Sequence, residues 1–503
     1  MKAKIHKASV NIIIVILVFV FTASVGLCVW GILANSERYI KFYPDCQYQT
    51  VEGFGASSAW IYQALGLVED EGFKNEAIDM LYGSDGLQLT EFRYGIGAGG
   101  TESDAYGDPL RGADSFFIAD RFNGDYSVFK DISNYDFSRD KAVIDMFERA
   151  LATGNVKRVI FFTGSPHYLM TVSGKTHGEF DNQNNLKEEC YEAFSDYLLV
   201  ITDYLYKNII CKYNPDIKVS ISPLNEPQWN WGGPWASQEG CHYDPIPLAR
   251  FCDTFYKTVT AFNDKHGTHY EVDIFESACC QMYVAKEYID ELCKYDWFYK
   301  LNTLSLHSYV TELDIPSRKE FYDYIPDNLH VYISEYCVMT YGVDPSIDRG
   351  LYSARIMLRD LAYLHAIAWN YWLSISCGDY EDGLVYWNKD EQGNDILRVS
   401  KRYYTFGQFS KYAVGSTMIK TKYFTGAIDG IEQVAFIRED GSIVLIVIND
   451  GKDDVRIKLK GISGDIHHIV TDANNDWTET TYTNTSYINV GAKSINTYIL
   501  QSK

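Results

Sequence analysis

The sequence lacks the devices that staple a small fold or hold a metal. Its eleven cysteines include no CxxC pair and no even spacing, and their number is odd, so neither a disulfide framework nor a paired-cysteine zinc site is written into it. Mostly buried thiols are expected, because a chain of 503 residues can build a core without bridges. The adjacent Cys279 and Cys280 have no Cys or His near them at ligand spacing. Positive charge is also short, with 45 Lys and Arg against 67 Asp and Glu and a net charge of −22. Polyanions need clustered cations, so nucleic acid is excluded as a partner. There is no HExxH, GxSxG or P-loop, and no fixed-period repeat or low-complexity segment. The "GIGAGG" at 95 to 100 fits GxGxxG but leads into a polar loop with "YGDP" instead of a helix, so it carries no dinucleotide. The "DANNDW" at 472 to 477 puts Trp where a calcium loop needs its turn glycine. No metal and no cofactor is implied.

What the chain has in quantity is aromatic surface. Its 40 Tyr, 26 Phe and 10 Trp make up 15% of the residues, a supply of flat apolar faces that suits sugar rings as well as cores. At the N-terminus, Lys2, Lys4 and Lys7 precede an apolar run from 12 to 33 whose only polar members are Thr22 and Ser24. The run exceeds the roughly 7–15 residues of a signal core and reaches the roughly 20 of a membrane span. Residues 1–35 therefore read as a cleaved signal peptide or an N-terminal membrane anchor, and both place the rest outside the cell, because the lysines stay cytoplasmic.

The length exceeds what one core usually supports and suggests a large domain with an accessory one. From 49 to about 402, short apolar runs alternate with helical patterns, the mark of βα units around a parallel sheet. Eight strand candidates stand at 49–55, 87–95, 156–164, 217–226, 271–277, 302–309, 329–336 and 366–374. Eight such units predict an α/β fold, a (β/α)8 TIM barrel. Amphipathic stretches at 140–154 and 192–209 supply outer helices, and 97–129 is a long insertion shaping a cleft. Beyond 403 the texture becomes alternating runs such as "SIVLIVIND" and "VRIKLKG" separated by polar turns, an antiparallel β domain to which "ERYIKFYP" (37–44) could add a strand. Residues 36–48 and 403–503 are assigned to that domain.

A TIM barrel keeps its chemistry at the C-terminal ends of its strands. Those ends carry Arg93, Asn225 with Glu226, Glu276, His307 with Tyr309, Glu335 and Trp372. Strands four and seven face each other across the rim, so Glu226 and Glu335 can approach the roughly 5–5.5 Å of a retaining glycosidase pair. One acid alone would pass for a salt-bridged loop end, whereas two on opposed strands, each beside Asn or Tyr, point to sugar chemistry. Arg93 also fits a structural ion pair, His307 a satisfied core histidine and Trp372 plain packing. Glu276 is expected to stand behind the pair. In the loop "SPLNEPQWNWGGPW" (222–235), Trp229 is the expected sugar contact, while Trp231 and Trp235 suit bracing the loop equally well.

The motifs "VEGFGASSAW", "SPLNEPQWNW", "SQEGCHYD", "SLHSY" and "ISEYCVM", with "YYTFGQFSKYAVGS" at the barrel exit, resemble glycoside hydrolase family 30, most nearly its endo-β-1,6-galactanase-like branch. The resemblance spans about 38–500. It implies a barrel fused to a side β-sandwich built from both chain ends, Glu226 as general acid/base and Glu335 as nucleophile. It further implies Arg93 holding Glu335 ionised, Asn225 on the sugar 2-hydroxyl, Tyr309 donating to the nucleophile and Trp372 flooring the subsite. The expected substrate is a β-linked polysaccharide, first β-1,6-galactan, with β-1,6-glucan and xylan as alternatives. A catalytically silent carbohydrate-binding surface protein is the alternative of another class. "SPHYLM" (165–170) and "AVGS" (413–416) depart from the broader family, where a tryptophan-rich motif and a Pro are usual. Nothing in the sequence speaks to oligomeric state.

Overall fold

The computed structural model describes residues 37–101, 112–233, 236–424 and 430–501. The export segment 1–35, Trp235 and part of the inserted loop lie outside the described residues. Each of the eight expected runs contains strand: Gly53–Ser57, Glu91–Gly95, Arg158–Phe162, Lys218–Ser222, the pair Glu271–Val272 and Phe275–Ser277, Thr303–His307, His330–Glu335 and Ala368–Cys377. All pair in parallel with their neighbours. The path begins on Glu271–Val272 and ends on Phe275–Ser277, two halves of one run. Asp273 N–H donates to the Ile221 carbonyl on one side at 3.0 Å, and Ser305 N–H donates to the Ile274 carbonyl on the other at 3.2 Å. The sheet therefore returns on itself in a TIM-like arrangement.

Helices of the outer layer form where apolar residues recur at helical spacing. Lys141–Ala152 buries Val143, Met146, Phe147, Ala150 and Leu151 on one stripe, and the chain then turns through Gly154 at φ 76°, a left-handed conformation that favours glycine. The second expected helix is Tyr191–Leu205, after which Tyr206–Ile210 widens to a π turn.

Several boundaries differ from the sequence reading, and three of them have a clear local reason. The first barrel strand starts at Gly53, because Gln49 and Thr50 complete the strand Tyr39–Thr50 of the other sheet. A side chain on Gly55 would collide with Asn370 Oδ1 and the Glu91 carbonyl, so the glycine lets neighbouring strands close up. The fourth strand stops at Ser222 before Pro223, which leaves Asn225 and Glu226 in the loop beyond it. The eighth continues past Trp372 to Cys377, since Gly383–Lys389 pairs alongside it and turns back into Asp395–Val399.

The second sheet has nine strands: Tyr39–Thr50, Thr417–Phe424, Ile431–Ile437, Ile443–Asn449, Val455–Lys460, Gly464–Thr471, Thr478–Thr485, Tyr487–Val490 and Ser494–Leu500. Its pairings are antiparallel except where Tyr39–Lys41 runs parallel to Lys458–Lys460. Alternating residues such as Ile40, Leu445, Ile457, Ile488 and Tyr498 form its own core. Arg355 and Arg359, on the helix Ile347–Tyr363, reach Glu432 of this sheet at 2.5 and 2.7 Å. The ten described cysteines are free thiols, six of them buried.

Candidate active site

Parallel strands in perfect register would aim successive side chains alternately into and out of the barrel. Irregular pairing at their C-terminal ends re-aims several of them. Trp372 is skipped between Tyr371 and Leu373 in pairing with the first strand, Glu276 between Phe275 and Ser277, and Ser334 between Ile333 and Glu335. Such bulges turn one extra side chain toward a site. Glu226 and Glu276 also sit at positive φ, 45° and 42°, where non-glycine residues are strained and concentrate at functional sites.

These devices bring Arg93, Glu226, Glu276, His307, Tyr309 and Glu335 into one buried cluster. Arg93 donates to Glu335 Oε2 at 2.6 Å and to Asn225 Oδ1 at 3.4 Å, and lies 3.9 Å from Glu276. Its guanidinium stacks on Phe162 at 3.8 Å, with Trp372 at 5.7 Å on its other contact. Tyr309 donates to Glu335 Oε1 at 3.0 Å, so both Glu335 oxygens are held. His307 bridges the other two acids, with Nδ1 2.9 Å from Glu226 and Nε2 3.0 Å from Glu276. Glu276 is fully enclosed and takes further bonds from Ser222 at 2.7 Å and Ser334 at 2.5 Å. It therefore stands behind the cluster, whereas Glu226 and Glu335 remain 8% and 5% exposed.

Burial, reinforced by the charge of Glu335, raises the Glu226 carboxyl above its ordinary range against the pull of His307 and Arg93. Burial also acts on Glu276, but the His307 bond, the Arg93 charge and Ser334 outweigh it and leave that acid lowered. Burial disfavours the imidazolium of His307, yet Glu335, Glu226 and Glu276 together push its pKa up to about 10. Two cationic side chains thus lie among three buried acids, one of which burial pushes toward its neutral form. One donor atom each from Glu226, His307 and Glu335 lie within 4.8 Å of one another.

Two cavities open beside the loop that carries Glu226. One is bounded by Trp60, Phe162, Asn225, Glu239 and Trp372, and Trp60 meets Trp372 edge-on at 5.3 Å. Glu239 accepts backbone N–H from Gly100 at 3.1 Å and Ala113 at 3.3 Å, and burial raises its carboxyl to about 8. The other cavity holds Gln228 and Trp229, with Trp229 44% exposed. Trp231 turns inward, donating Nε1–H to the Glu226 carbonyl at 2.8 Å and covering Gly240, where a side chain would meet its ring. It braces the loop that carries Glu226.

Residues 37–386 match the model of O-glycosyl hydrolase family 30, and residues 415–498 match the family 30 β-sandwich domain. This chain belongs to O-glycosyl hydrolase family 30. Among curated relatives of this family 30 chain, an endo-β-1,6-galactanase of Hypocrea rufa is 25% identical over 242 residues, 45% of this chain and 47% of that protein. The chain thus spans about half the length of that relative. A conserved exported protein from Bacteroides fragilis has the same fold at a TM-score of 0.78 and 21% identity, over 92% of this chain and 100% of the other. The catalytic domain of xylanase C from Talaromyces cellulolyticus follows it at 0.69 and 18%, with the same coverage.

Two residues of this family 30 site went unassigned in the sequence reading. Glu239 stands within "SQEGCHYD" and Trp60 within "VEGFGASSAW", but neither ends a strand, so the strand-end rule could not place them. Trp60 is marked only afterwards, by its φ of 59°.

Proposed function

We propose that this chain is a retaining endo-glycoside hydrolase of β-linked polysaccharide, with β-1,6-galactan as its substrate. The observation that carries the reading is the Glu226–Glu335 pair at the barrel mouth. One carboxylate oxygen of each lies within 4.8 Å of one of the other, close enough for the two acids to act on one glycosidic bond as a retaining pair does.

In this mechanism Glu335, oriented by Arg93 and Tyr309, attacks the anomeric carbon while Glu226 gives its proton to the leaving oxygen. His307 Nδ1–H points at one Glu226 oxygen, which reserves the other for that proton. Ester formation removes the negative charge on Glu335 that helped raise Glu226. The Glu226 carboxyl then falls toward its ordinary range and takes a proton from the incoming water. Asn225, fixed through its Oδ1 by Arg93, bonds the sugar 2-hydroxyl, and Trp372 floors the ring.

The half-length likeness to an endo-β-1,6-galactanase supports the substrate, while the fold shared with a xylanase keeps xylan as the second reading. The lysine-flanked apolar run at 12–33 and the fold shared with an exported protein support export, with the segment cleaved or kept as a tether. Among the described residues no helix is long and apolar enough to cross a membrane.

The test is product analysis of residues 36–503 on β-1,6-galactan, β-1,6-glucan and xylan, with Glu226→Gln and Glu335→Gln beside it. Short galacto-oligosaccharides of retained anomeric configuration are expected, with kcat down about 10²–10⁴-fold in Glu226→Gln and further in Glu335→Gln. Inverted products would overturn the mechanism. Cleavage of another polymer would move the substrate, and binding without turnover would favour the silent lectin-like alternative.

A further inference from the structure

The net charge of −22 conceals one face of the opposite sign. In the side domain, four adjacent strands, Thr417–Phe424, Tyr39–Thr50, Val455–Lys460 and Tyr487–Val490, turn apolar side chains such as Ile419, Ile40, Ile457 and Ile488 into the sandwich core. The strand period of two sends the alternate residues outward. Register sets Lys41 beside Lys422 and Lys460, Tyr43 beside Lys420, and Tyr39 beside Phe424 and Lys458. Tyr487 stands next to Lys458, and Arg456 follows two residues along the same strand.

This face differs from an ordinary solvated one in its charge and in its rings. Lys41, Lys420, Lys422, Arg456 and Lys460 are exposed, and none of the five has a carboxylate partner among the described residues, while Lys458 pairs with Glu37 at 3.0 Å. A surface kept only for solubility mixes its signs, all the more where acids outnumber bases 67 to 45. The rings are not free to stack on a ligand. Tyr39 and Phe424 stack on each other at 4.4 Å, and cations lie over Tyr39 (Lys460, 3.4 Å), Tyr43 (Lys41, 4.8 Å), Phe424 (Lys422, 4.7 Å) and Tyr487 (Arg456, 4.3 Å). Those contacts hold the charged heads in place. What the face presents is a flat array of cations with ring edges between them.

Shape and place in the chain select the partner. Four strands spaced at roughly 4.8 Å make a plane about 15 Å across, which a plane of headgroups covers whole and a single polymer chain touches along one row. Tyr interleaved with Lys and Arg is also the composition of protein surfaces at a charged membrane interface. Tyr39 follows the last residue of the N-terminal apolar run, Leu33, by six positions, at most about 20 Å of extended chain. A run kept as a tether therefore holds this face at the bilayer surface. The opposite layer of the sandwich packs Val444, Ile446 and Ile448 into the barrel's core cluster, so the barrel stands on the far side of the sandwich from the cations. We infer that this face docks on a bilayer surface bearing anionic headgroups. The inference goes beyond the catalytic reading and rests on export of the chain, not on which glycan is cut.

The test is co-sedimentation of residues 36–503, which contain both cores and omit the apolar run, with vesicles of phosphatidylcholine with or without phosphatidylglycerol. Binding is expected only with phosphatidylglycerol and should weaken as salt rises. The triple variant Lys41→Glu, Lys422→Glu and Lys460→Glu should bind at least about a hundredfold more weakly. The same three lysines changed to Gln should lose at least about tenfold, with a urea midpoint near wild type showing that the sandwich is folded. Reversal of three exposed barrel lysines, Lys207, Lys257 and Lys286, should leave binding unchanged. Equal binding to both vesicle types, binding to neither, or an equal loss in the barrel control would overturn the inference. Polygalacturonate beads in place of vesicles offer the other source of repeated anions, and retention there without vesicle binding would overturn it too.

Discussion

The barrel holds two buried charge clusters, one near each end of its strands, and they differ in two respects. The lower one gathers Glu91, Arg158 and Asp273 around Tyr332 and Asn370. Arg158 meets Glu271 at 2.5 Å and Asp273 at 3.8 Å, while Glu91 accepts from Tyr332 at 2.5 Å and Asn370 at 2.8 Å. The upper cluster uses the same groups, one arginine among carboxylates with a tyrosine donor. Burial raises Glu91 and Asp273 below as it raises Glu226 above. The upper cluster, however, lies beside open cavities and adds an imidazole between two acids. Similar charge chemistry thus serves packing where it is enclosed and, in the proposed mechanism, reactivity where a substrate can reach it, because an enclosed acid has nothing to exchange its proton with.

Removing each arginine would break the comparison most sharply. Arg158→Met leaves Glu91 and Asp273 buried without their cation and should cost about 3–5 kcal/mol of stability, seen as a lower urea midpoint, while the folded fraction keeps its pH–rate profile. Arg93→Met should cost less stability, because His307 still faces the acids, but should lose most of the turnover.

A pH series sharpens it next. The folded state holds the His307 proton to about pH 10, against roughly 6.5 for an unfolded histidine. That stabilisation is complete below about 6.5 and disappears as pH rises toward 10. Raised Glu226 has the same sign, its contribution present below the unfolded carboxyl range and lost with rising pH. The urea midpoint of the wild type should therefore decline between pH 6.5 and 10, and His307→Gln should flatten that decline. A decline of unchanged slope in the variant would remove His307 as its source.

Tyr309→Phe is the mildest change. It removes one bond to Glu335 and nothing from the lower cluster, so a fall in kcat of about three- to tenfold is expected, with the urea midpoint nearly unmoved.

The contrast between the clusters also explains what the sequence could disclose. Apolar runs bounded by turns located each of the eight strand regions, and the strand-end rule located Arg93, Glu226, His307 and Glu335 together, since period and polarity act within a few residues. The polar strand Thr478–Thr485, largely exposed along the sheet edge, has no apolar alternation to reveal it. Glu239 belongs to a loop far from any strand end and reaches the site only through the backbone amides of Gly100 and Ala113, a contact with no sequence period. The bulges at Glu276, Ser334 and Trp372 are likewise products of pairing between distant strands, and no local pattern announces them.

The strand Tyr39–Thr50 lies between Thr417–Phe424 and Val455–Lys460. During synthesis it leaves the ribosome early, and both its partners leave near the end. At roughly 5–20 residues per second its two edges stay open for on the order of 20–75 s. Its own Lys41 and Asp45 fit that interval, because charge on an unpaired strand discourages pairing with another chain. A chain halted before residue 415 would keep those edges unpaired, and is expected to aggregate more readily than the full chain.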